Sequence, residues 1–365
     1  MADGKSYSLY DSPLLKARAR IEGGRVRIES SGTLSRLPVI KSALQMFEGQ
    51  IPVRVEAERL CLSTWIPPLP SPAFDRLAES RVRGLLGMRT PDQVTISITE
   101  ECPNRCAHCA LPDSGKRLRL APETVKDVIS QVLDMGTTLV IFDGGEPALY
   151  PELPDLVAAV DERAISTLFT SGAGFTSDLA ERLADAGLYA VNVSLDSPLQ
   201  EEHDLMRGRK GVFSEAMAAV EHALDAGLLV DLYVVLRREN MHHLEAFHDL
   251  ARRIGAQELT FFEVVATGRW SERQNIALTP EDHDRLAAFV RGAAEPRIFS
   301  VPEAYKLFGC FAASSWMHIT PAGEVYPCSC YPQSWGSIFV EPIKEIWRRM
   351  GSFPFKKSKT CPMRK

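Results

Sequence analysis

The sequence predicts an α/β protein built on a parallel sheet with helices outside it. Two observations carry that prediction. From Val94 onward an apolar strand, a loop and a helix recur six times at roughly 30-residue spacing, the pattern of successive β/α units. The segments richest in cysteine, glycine and acidic residues fall directly after the strands, where the loops of parallel sheets gather their chemistry.

Residues 1–90 read as a small α+β region. Ala17–Ile21 and Arg25–Glu29 alternate around Gly23-Gly24, a hairpin signal. Leu37, Ile40, Leu44 and Phe47 recur at helical spacing, and Gly49 closes the run. Trp65–Pro72 is a proline-rich extended link, followed by a helix over residues 74–86. The six strands are expected at Val94–Ile98, Thr138–Phe142, Ile165–Phe169, Tyr189–Leu195, Leu229–Leu236 and Glu258–Val265. Their helices are expected at Pro122–Asp134, Leu153–Glu162, Ser177–Ala186, Ser214–Ala226, Met241–Ile254 and Pro280–Arg291. A hairpin over Ile319–Cys328 and a helix over Ile343–Trp347 close the chain, giving an expected division at 1–90, 91–298 and 299–365.

The composition, 45% apolar and 24% charged, is that of a soluble globular protein, and no run of 18 apolar residues marks a membrane span. Residues 1–6 lack an apolar signal-peptide stretch, so eight cysteines suggest metal ligation in reducing cytosol. The net charge of −5 hides an asymmetry: residues 1–90 carry 14 Lys+Arg against 9 Asp+Glu, and the rest is acidic apart from a basic tail. Basic ends on an acidic body suit a solvated face, an acidic partner or a membrane surface. The amphipathic Leu37–Phe47 face allows peripheral membrane contact. No nucleic-acid partner is expected.

The run Cys102-Pro-Asn-Arg-Cys106-Ala-His-Cys109 has the spacing C-x3-C-x2-C. Three thiolates this close can hold three corners of a four-iron cluster and leave one iron open to a small molecule. A disulfide set is a poor alternative, because three is odd. Structural zinc favours C-x2-C pairs with two more ligands close by, whereas the next cysteine here is Cys310 and the next histidine His203.

With Gly144-Gly145-Glu146-Pro147 after the second strand, this motif resembles the signature of the radical S-adenosylmethionine (SAM) superfamily, over roughly residues 94–295. The resemblance implies a partial (β/α)6 barrel. It implies a [4Fe-4S] cluster on Cys102, Cys106 and Cys109 whose open iron chelates SAM. It implies reductive cleavage of SAM to a 5′-deoxyadenosyl radical that abstracts hydrogen from a substrate. His108 stands at the usually aromatic position against the adenine. Glu146 is expected to accept from the SAM ammonium, and Ser171, Ser194 and Asp196 to meet its polar groups, with strand-end capping as the alternative for the last two. Arg207 is expected to pair with the SAM carboxylate or to form a surface salt bridge. Asn240 and Arg269 are weaker candidates for SAM or substrate contact.

Cys310, Cys328, Cys330 and Cys361 resemble a SPASM or twitch-type auxiliary cluster domain. Four cysteines suffice for a second [4Fe-4S] cluster, with Cys330 the ligand that water or substrate can replace and zinc the rival. Lys356, Lys357, Lys359, Arg364 and Lys365 are placed to offset its charge. Cys61, alone, is expected to be a buried apolar residue.

The expected function is therefore oxidation, decarboxylation or bond formation on a small molecule, tetrapyrrole or lipid, with a ferredoxin or flavodoxin as reductant. Maturation of a ribosomally made peptide is an alternative, although residues 1–90 do not give the three-helix, three-strand order of a winged-helix recognition domain. A two-cluster electron carrier is a rival of another class, which the Gly144–Pro147 turn opposes. Cobalamin-dependent methyl transfer lacks a cobalamin domain.

Overall fold

The computed structural model describes residues 3–111, 115–356 and 358–364. It begins with an antiparallel sheet of β1 (Ser6–Asp11), β2 (Lys16–Glu22) and β3 (Arg25–Ser31), in that order. The expected hairpin is present, and Gly23 and Gly24 take the positive φ angles its two-residue turn demands. The sequence pattern did not disclose β1, whose Tyr7 and Leu9 face Ala17, Ala19, Ile21 and Val26 in a small core of their own. Then come α1 (Pro38–Gln45), a short ladder of β4 (Arg54–Val55) with β5 (Leu60–Cys61), and α2 (Pro72–Leu85). Leu44 and Phe47 pack on the small core, while Leu37 and Met46 remain exposed. Ser71 caps α2 by accepting from the Phe74 N–H at 3.1 Å, and Pro72 supplies the preset φ of a first helical turn.

The main sheet follows. Its first units are β6 (Gln93–Ser97), α3 (Pro122–Asp134), β7 (Leu139–Asp143), α4 (Leu153–Ala158), β8 (Ile165–Thr170), α5 (Ser177–Asp185) and β9 (Ala190–Leu195). After them come α6 (Gln200–Arg207), α7 (Val212–Asp225), β10 (Leu229–Leu236), α8 (Leu244–Ile254), β11 (Glu258–Glu263) and α9 (Pro280–Gly292). The last elements are β12 (Arg297–Ser300), α10 (Val301–Phe308), β13 (Trp316–Ile319), β14 (Val325–Tyr326) and α11 (Ile343–Arg349).

The nine strands run in the order β12-β11-β10-β9-β8-β7-β6-β13-β14. All adjacent pairs are parallel except β13 with β14. The six expected strands are β6 to β11. β12, which was not foreseen, extends one edge; β13 and β14 form the expected late hairpin, and β13 extends the other edge by a pairing with β6 that was not foreseen. The late cysteine region is thus stitched into the barrel sheet. Also unforeseen were α6, α10 and a 3-10 turn over Arg238–His243 in place of the first part of the expected helix.

Alternation along the strands separates two environments. Val94, Ile96, Val140, Phe142, Val191, Val193, Leu232 and Val234 face the helices and bury with Val125, Ile129 and Val132 in one continuous core. The opposite face, turned into the barrel, carries Thr95, Ser97, Thr167, Asn192, Asp231, Tyr233, Glu258 and Thr260.

That polar interior needs partners, and the Trp65 segment supplies them. The Ser63 and Thr64 hydroxyls donate to Glu258 at 2.6–2.9 Å, as does the Thr64 N–H at 2.7 Å. Trp65 Nε1 donates to Asp231 at 3.2 Å and Thr260 at 3.1 Å, and its ring meets Phe169, Tyr233 and Phe299. The expected extended link is therefore a plug in the N-terminal end of the barrel. Among the described residues no helix is long and apolar enough to cross a membrane.

Candidate active site

The cysteine loop leaves the C-terminal end of β6 and is held by backbone on every side. Arg105 and Ala107 donate their N–H groups to the carbonyls of Arg207 and Met206 at 2.9 and 2.8 Å. Arg269 donates its N–H to the Cys109 carbonyl at 3.0 Å and its guanidinium to the Cys106 carbonyl at 2.9 Å. Two glycines permit this approach. A Cβ on Gly208 would stand 2.6 Å from the Arg105 carbonyl oxygen, and one on Gly268 would stand 2.0 Å from that of Cys109.

The Gly144–Pro147 turn packs on the same loop. Gly145 and Glu146 donate N–H groups to the carbonyls of Thr99 and Glu101, both at 2.7 Å. Added Cβ atoms at Gly144 and Gly145 would meet those two carbonyl oxygens at 2.5 and 2.3 Å. Gly144 also has φ +150°. The Gly-Gly pair is thus required by close backbone packing, which sets the turn beside Cys102.

Glu146 is fully buried and already surrounded by donors. Its carboxylate accepts from the Thr170 hydroxyl at 2.7 Å, the Ala148 N–H at 3.2 Å, the Ser171 N–H at 2.8 Å and the Ser171 hydroxyl at 2.5 Å. Glu146, the expected acceptor of an ammonium, ties the end of β7 to the end of β8. Ser171 takes part in that tie and accepts from Asn104 Nδ2 at 2.8 Å, so it braces the cysteine loop. Arg209, which carries no local sequence signal, donates to Asn104 Oδ1 at 2.8 Å and pairs with Glu215. Ser194 lies half-buried on the inward face of β9.

Asp196, at the end of β9, is neither a cap nor exposed. Its carboxylate lies 2.7 Å from Arg207 Nε and 3.3 Å from His108 Nε2. Burial opposes its charge, but Arg207 and then His108 hold its carboxyl at about 2. Asn240 and Arg237 donate to its carbonyl at 3.1 and 3.4 Å. Asn240 therefore supports Asp196 rather than facing open space, and Arg269 clamps the cysteine loop. Arg207 Nη1 reaches Cys106 Sγ at 3.8 Å, so this guanidinium is buried between a carboxylate and a cysteine sulfur. The His108 ring rests against Trp270, 5.9 Å between centroids, and its Nδ1 has no partner among the described residues.

The donor chemistry suits an iron–sulfur cluster. Burial pushes the Cys102 thiol up to about 12, and Glu146, Cys106 and Cys109 add to the effect. Burial also raises the Cys109 thiol, with Cys106 contributing. Buried thiols crowded together become thiolates only when a metal centre compensates their charge.

The second cysteine group gathers likewise around the β13–β14 hairpin. Burial raises Cys310 to about 11 and Cys361 to about 12, with Cys328 contributing to both. Cys328 is raised well above its ordinary value, first by a hydrogen bond with Cys330. Tyr305 on α10 was not foreseen: after burial, all four late cysteines raise its phenol. The basic tail has other partners than the sulfurs. Lys359 donates to the carbonyls of Lys306 and Leu307 at 3.0 and 2.9 Å, Lys356 to that of Gly351, and Arg364 to Glu263 at 2.9 Å. Lys357 and Lys365 lie outside the described residues. Cys61 is buried, as expected.

A model of the radical SAM superfamily matches residues 96–251, and one of an iron–sulfur cluster-binding SPASM domain matches residues 310–363. The chain is 30% identical over 285 residues to a PqqA peptide cyclase of Streptomyces rochei, covering 72% of this chain and 77% of that one. The chain belongs to the radical SAM superfamily. This radical SAM protein is also 24% identical over 294 residues to an AdoMet-dependent heme synthase of Methanosarcina barkeri, covering 72% of this chain and 84% of that one. Its fold is similar to SuiB of Streptococcus suis, solved bound to precursor peptide SuiA: TM-score 0.62, 16% identity, 77% of this chain and 71% of that one covered. It is thus a radical SAM enzyme with a [4Fe-4S] cluster, SAM and an auxiliary iron–sulfur cluster domain.

Proposed function

We propose that this enzyme is an oxidoreductase acting on a substrate held between its two cysteine loops. The observation that carries the reading is one cleft. Its lining runs from Ala110 and Leu111, which directly follow Cys109, to Ser329, which stands between Cys328 and Cys330, with Asp143, His318, Tyr326 and Pro332 between them. The cleft encloses about 90 Å³, less than a whole small-molecule site usually offers, so it takes the reacting part of a substrate and not its whole body.

In this reading Cys102, Cys106 and Cys109 hold the catalytic cluster, and Cys310, Cys328, Cys330 and Cys361 the auxiliary one. When bound, the cluster and SAM supply a 5′-deoxyadenosyl radical able to take a hydrogen atom from an unactivated carbon. The chain's own residues position and shield. Gly208 and Gly268 let the backbone clamp the cysteine loop, Asp196 fixes Arg207 and His108, and Glu146 joins the strand ends above which SAM binds. The auxiliary cluster that Cys310, Cys328, Cys330 and Cys361 would hold would supply an acceptor for an electron from the oxidised substrate, and a ferredoxin or flavodoxin would supply the reductant.

Anaerobic reconstitution with iron and sulfide, followed by dithionite and SAM, is expected to yield 5′-deoxyadenosine. Its absence from a preparation carrying both clusters would leave only the electron-carrier reading. Peptide maturation is kept as a second reading of the same site, because of the kinship with a peptide cyclase.

A further inference from the structure

We propose that Asp143 and His318 select the substrate, and that the group they take is apolar in body with a nitrogen-bearing hydrogen-bond donor at its head. This rests on the cleft between the cysteine loops being the substrate site of the proposed oxidoreductase. None of the residues expected to meet SAM lines that cleft.

Asp143 ends β7 on the inward face, one residue before the Gly144–Pro147 turn. Its Oδ1 accepts from the Gly144 N–H at 2.7 Å, which fixes the carboxylate. Its Oδ2 accepts from no described residue, and the half-buried side chain borders the cleft. His318 faces it across the cleft from β13. It is 3% exposed, and its Nδ1 has no partner among the described residues. Its Nε2 is 3.4 Å from the Ser97 hydroxyl, and its ring stacks on Tyr326 at 6.2 Å and 25°. A buried ring nitrogen left unpaired costs stability in the free protein, and the free carboxylate oxygen beside it is open to a donor from a ligand. That cost is recovered when a ligand supplies the missing hydrogen bonds.

The remaining lining sets the rest of the chemistry. Ala110, Leu111, Pro332 and the faces of Tyr326 and His318 are apolar or aromatic. No Lys or Arg is present among the described lining residues, so nothing there compensates a carboxylate. A propionate-bearing group placed beside Asp143 would meet like charge. An amine or amide N–H would complete the Asp143 hydrogen bond and could be flanked by the Tyr326 and His318 rings. Burial also lifts the Asp143 carboxyl to about 6, consistent with an acceptor that lacks donors.

The test compares two probes of nearly equal shape, tyramine and 3-(4-hydroxyphenyl)propanoate. They carry an ammonium and a carboxylate at the same place. Each is titrated calorimetrically into the anaerobically reconstituted, SAM-loaded enzyme at pH 8. Tyramine is expected to bind about tenfold or more tightly than the acid. Asp143→Asn, which keeps the oxygen that accepts from Gly144, is expected to abolish that preference, and His318→Gln to weaken both probes together. Equal affinities, no saturable tyramine binding, or an unchanged preference in Asp143→Asn would overturn the assignment. 5′-Deoxyadenosine formation by the same wild-type preparation without probe reports separately on the radical SAM reading.

Discussion

The buried Asp196 carboxylate is ionised because Arg207 stands 2.7 Å away, and its loss can be separated from ordinary destabilisation by acid titration. Its folded value of about 2 lies below the ordinary 3.8. A group depressed on folding stabilises the fold above its unfolded value, and that contribution fades as pH falls from about 4 to 2. Asp196→Asn leaves Arg207 buried without its partner and is expected to cost roughly 3–5 kcal/mol near neutrality. The deficit should shrink as the wild type loses its own ion pair in acid. Urea unfolding of the cluster-free chain at pH 7 and at pH 3 measures this, and a deficit that stays constant would mean that the Arg207 pair contributes nothing to it. The same variant should bind SAM more weakly in the reconstituted enzyme, because Arg207 and His108 lose their common anchor.

Among the elements, the cysteine loop shows which parts of a site a sequence displays. Its ligand spacing is local, so Cys102, Cys106 and Cys109 were legible at once, as was Gly144–Pro147. The six strands β6 to β11 were legible because apolar residues recur there between loop signals. What holds the loop was not legible. Gly268 touches Cys109 across more than 150 positions, and Gly208 touches Arg105 across about a hundred, so neither leaves a local pattern. The donors that surround Glu146 were not legible either: three come from Thr170 and Ser171 at the end of β8 and one from Ala148 in its own turn. Gly268→Ala should therefore prevent normal cluster assembly, lowering iron and sulfide per chain and weakening the reduced-cluster EPR signal. Gly187 is the control. It too has positive φ, +93° against +52°, but an added Cβ there meets nothing within 4 Å. Gly187→Ala should cost only about 1 kcal/mol of backbone strain and keep full cluster content. Similar iron loss in both variants would mean that strain, not contact with Cys109, decides assembly.

Across the whole molecule, both ends of the chain are built into the barrel. At one edge β13 continues the sheet beside β6, and Arg89 joins the segment before β6 to the late region by donating to the Trp347 carbonyl at 2.8 Å. At the N-terminal end of the barrel Asp231 and Glu258 lie side by side in register on β10 and β11. Burial, and then Glu258, push Asp231 well above the usual carboxylate range. Two neighbouring buried carboxylates are tolerable only while donors surround them. Arg297 pairs with Glu258, and Ser63, Thr64, Trp65 and Thr260 add further donors around the two. A run of prolines around a tryptophan reads as a linker because its partners lie more than 160 residues away. The plug makes a different prediction from a linker. Trp65→Ala should destabilise the whole fold by about 3 kcal/mol, near the low end for aromatic deletions because the ring is half-buried. Removing residues 1–71 should abolish the folded barrel, since it strips Glu258 of Ser63 and Thr64 and leaves the carboxylate pair open to water. Thermal unfolding followed by circular dichroism, with cluster content measured on the same samples, tests both. A truncated chain that melts cooperatively near the wild-type temperature and still loads iron would show that the N-terminal region is a separable accessory after all.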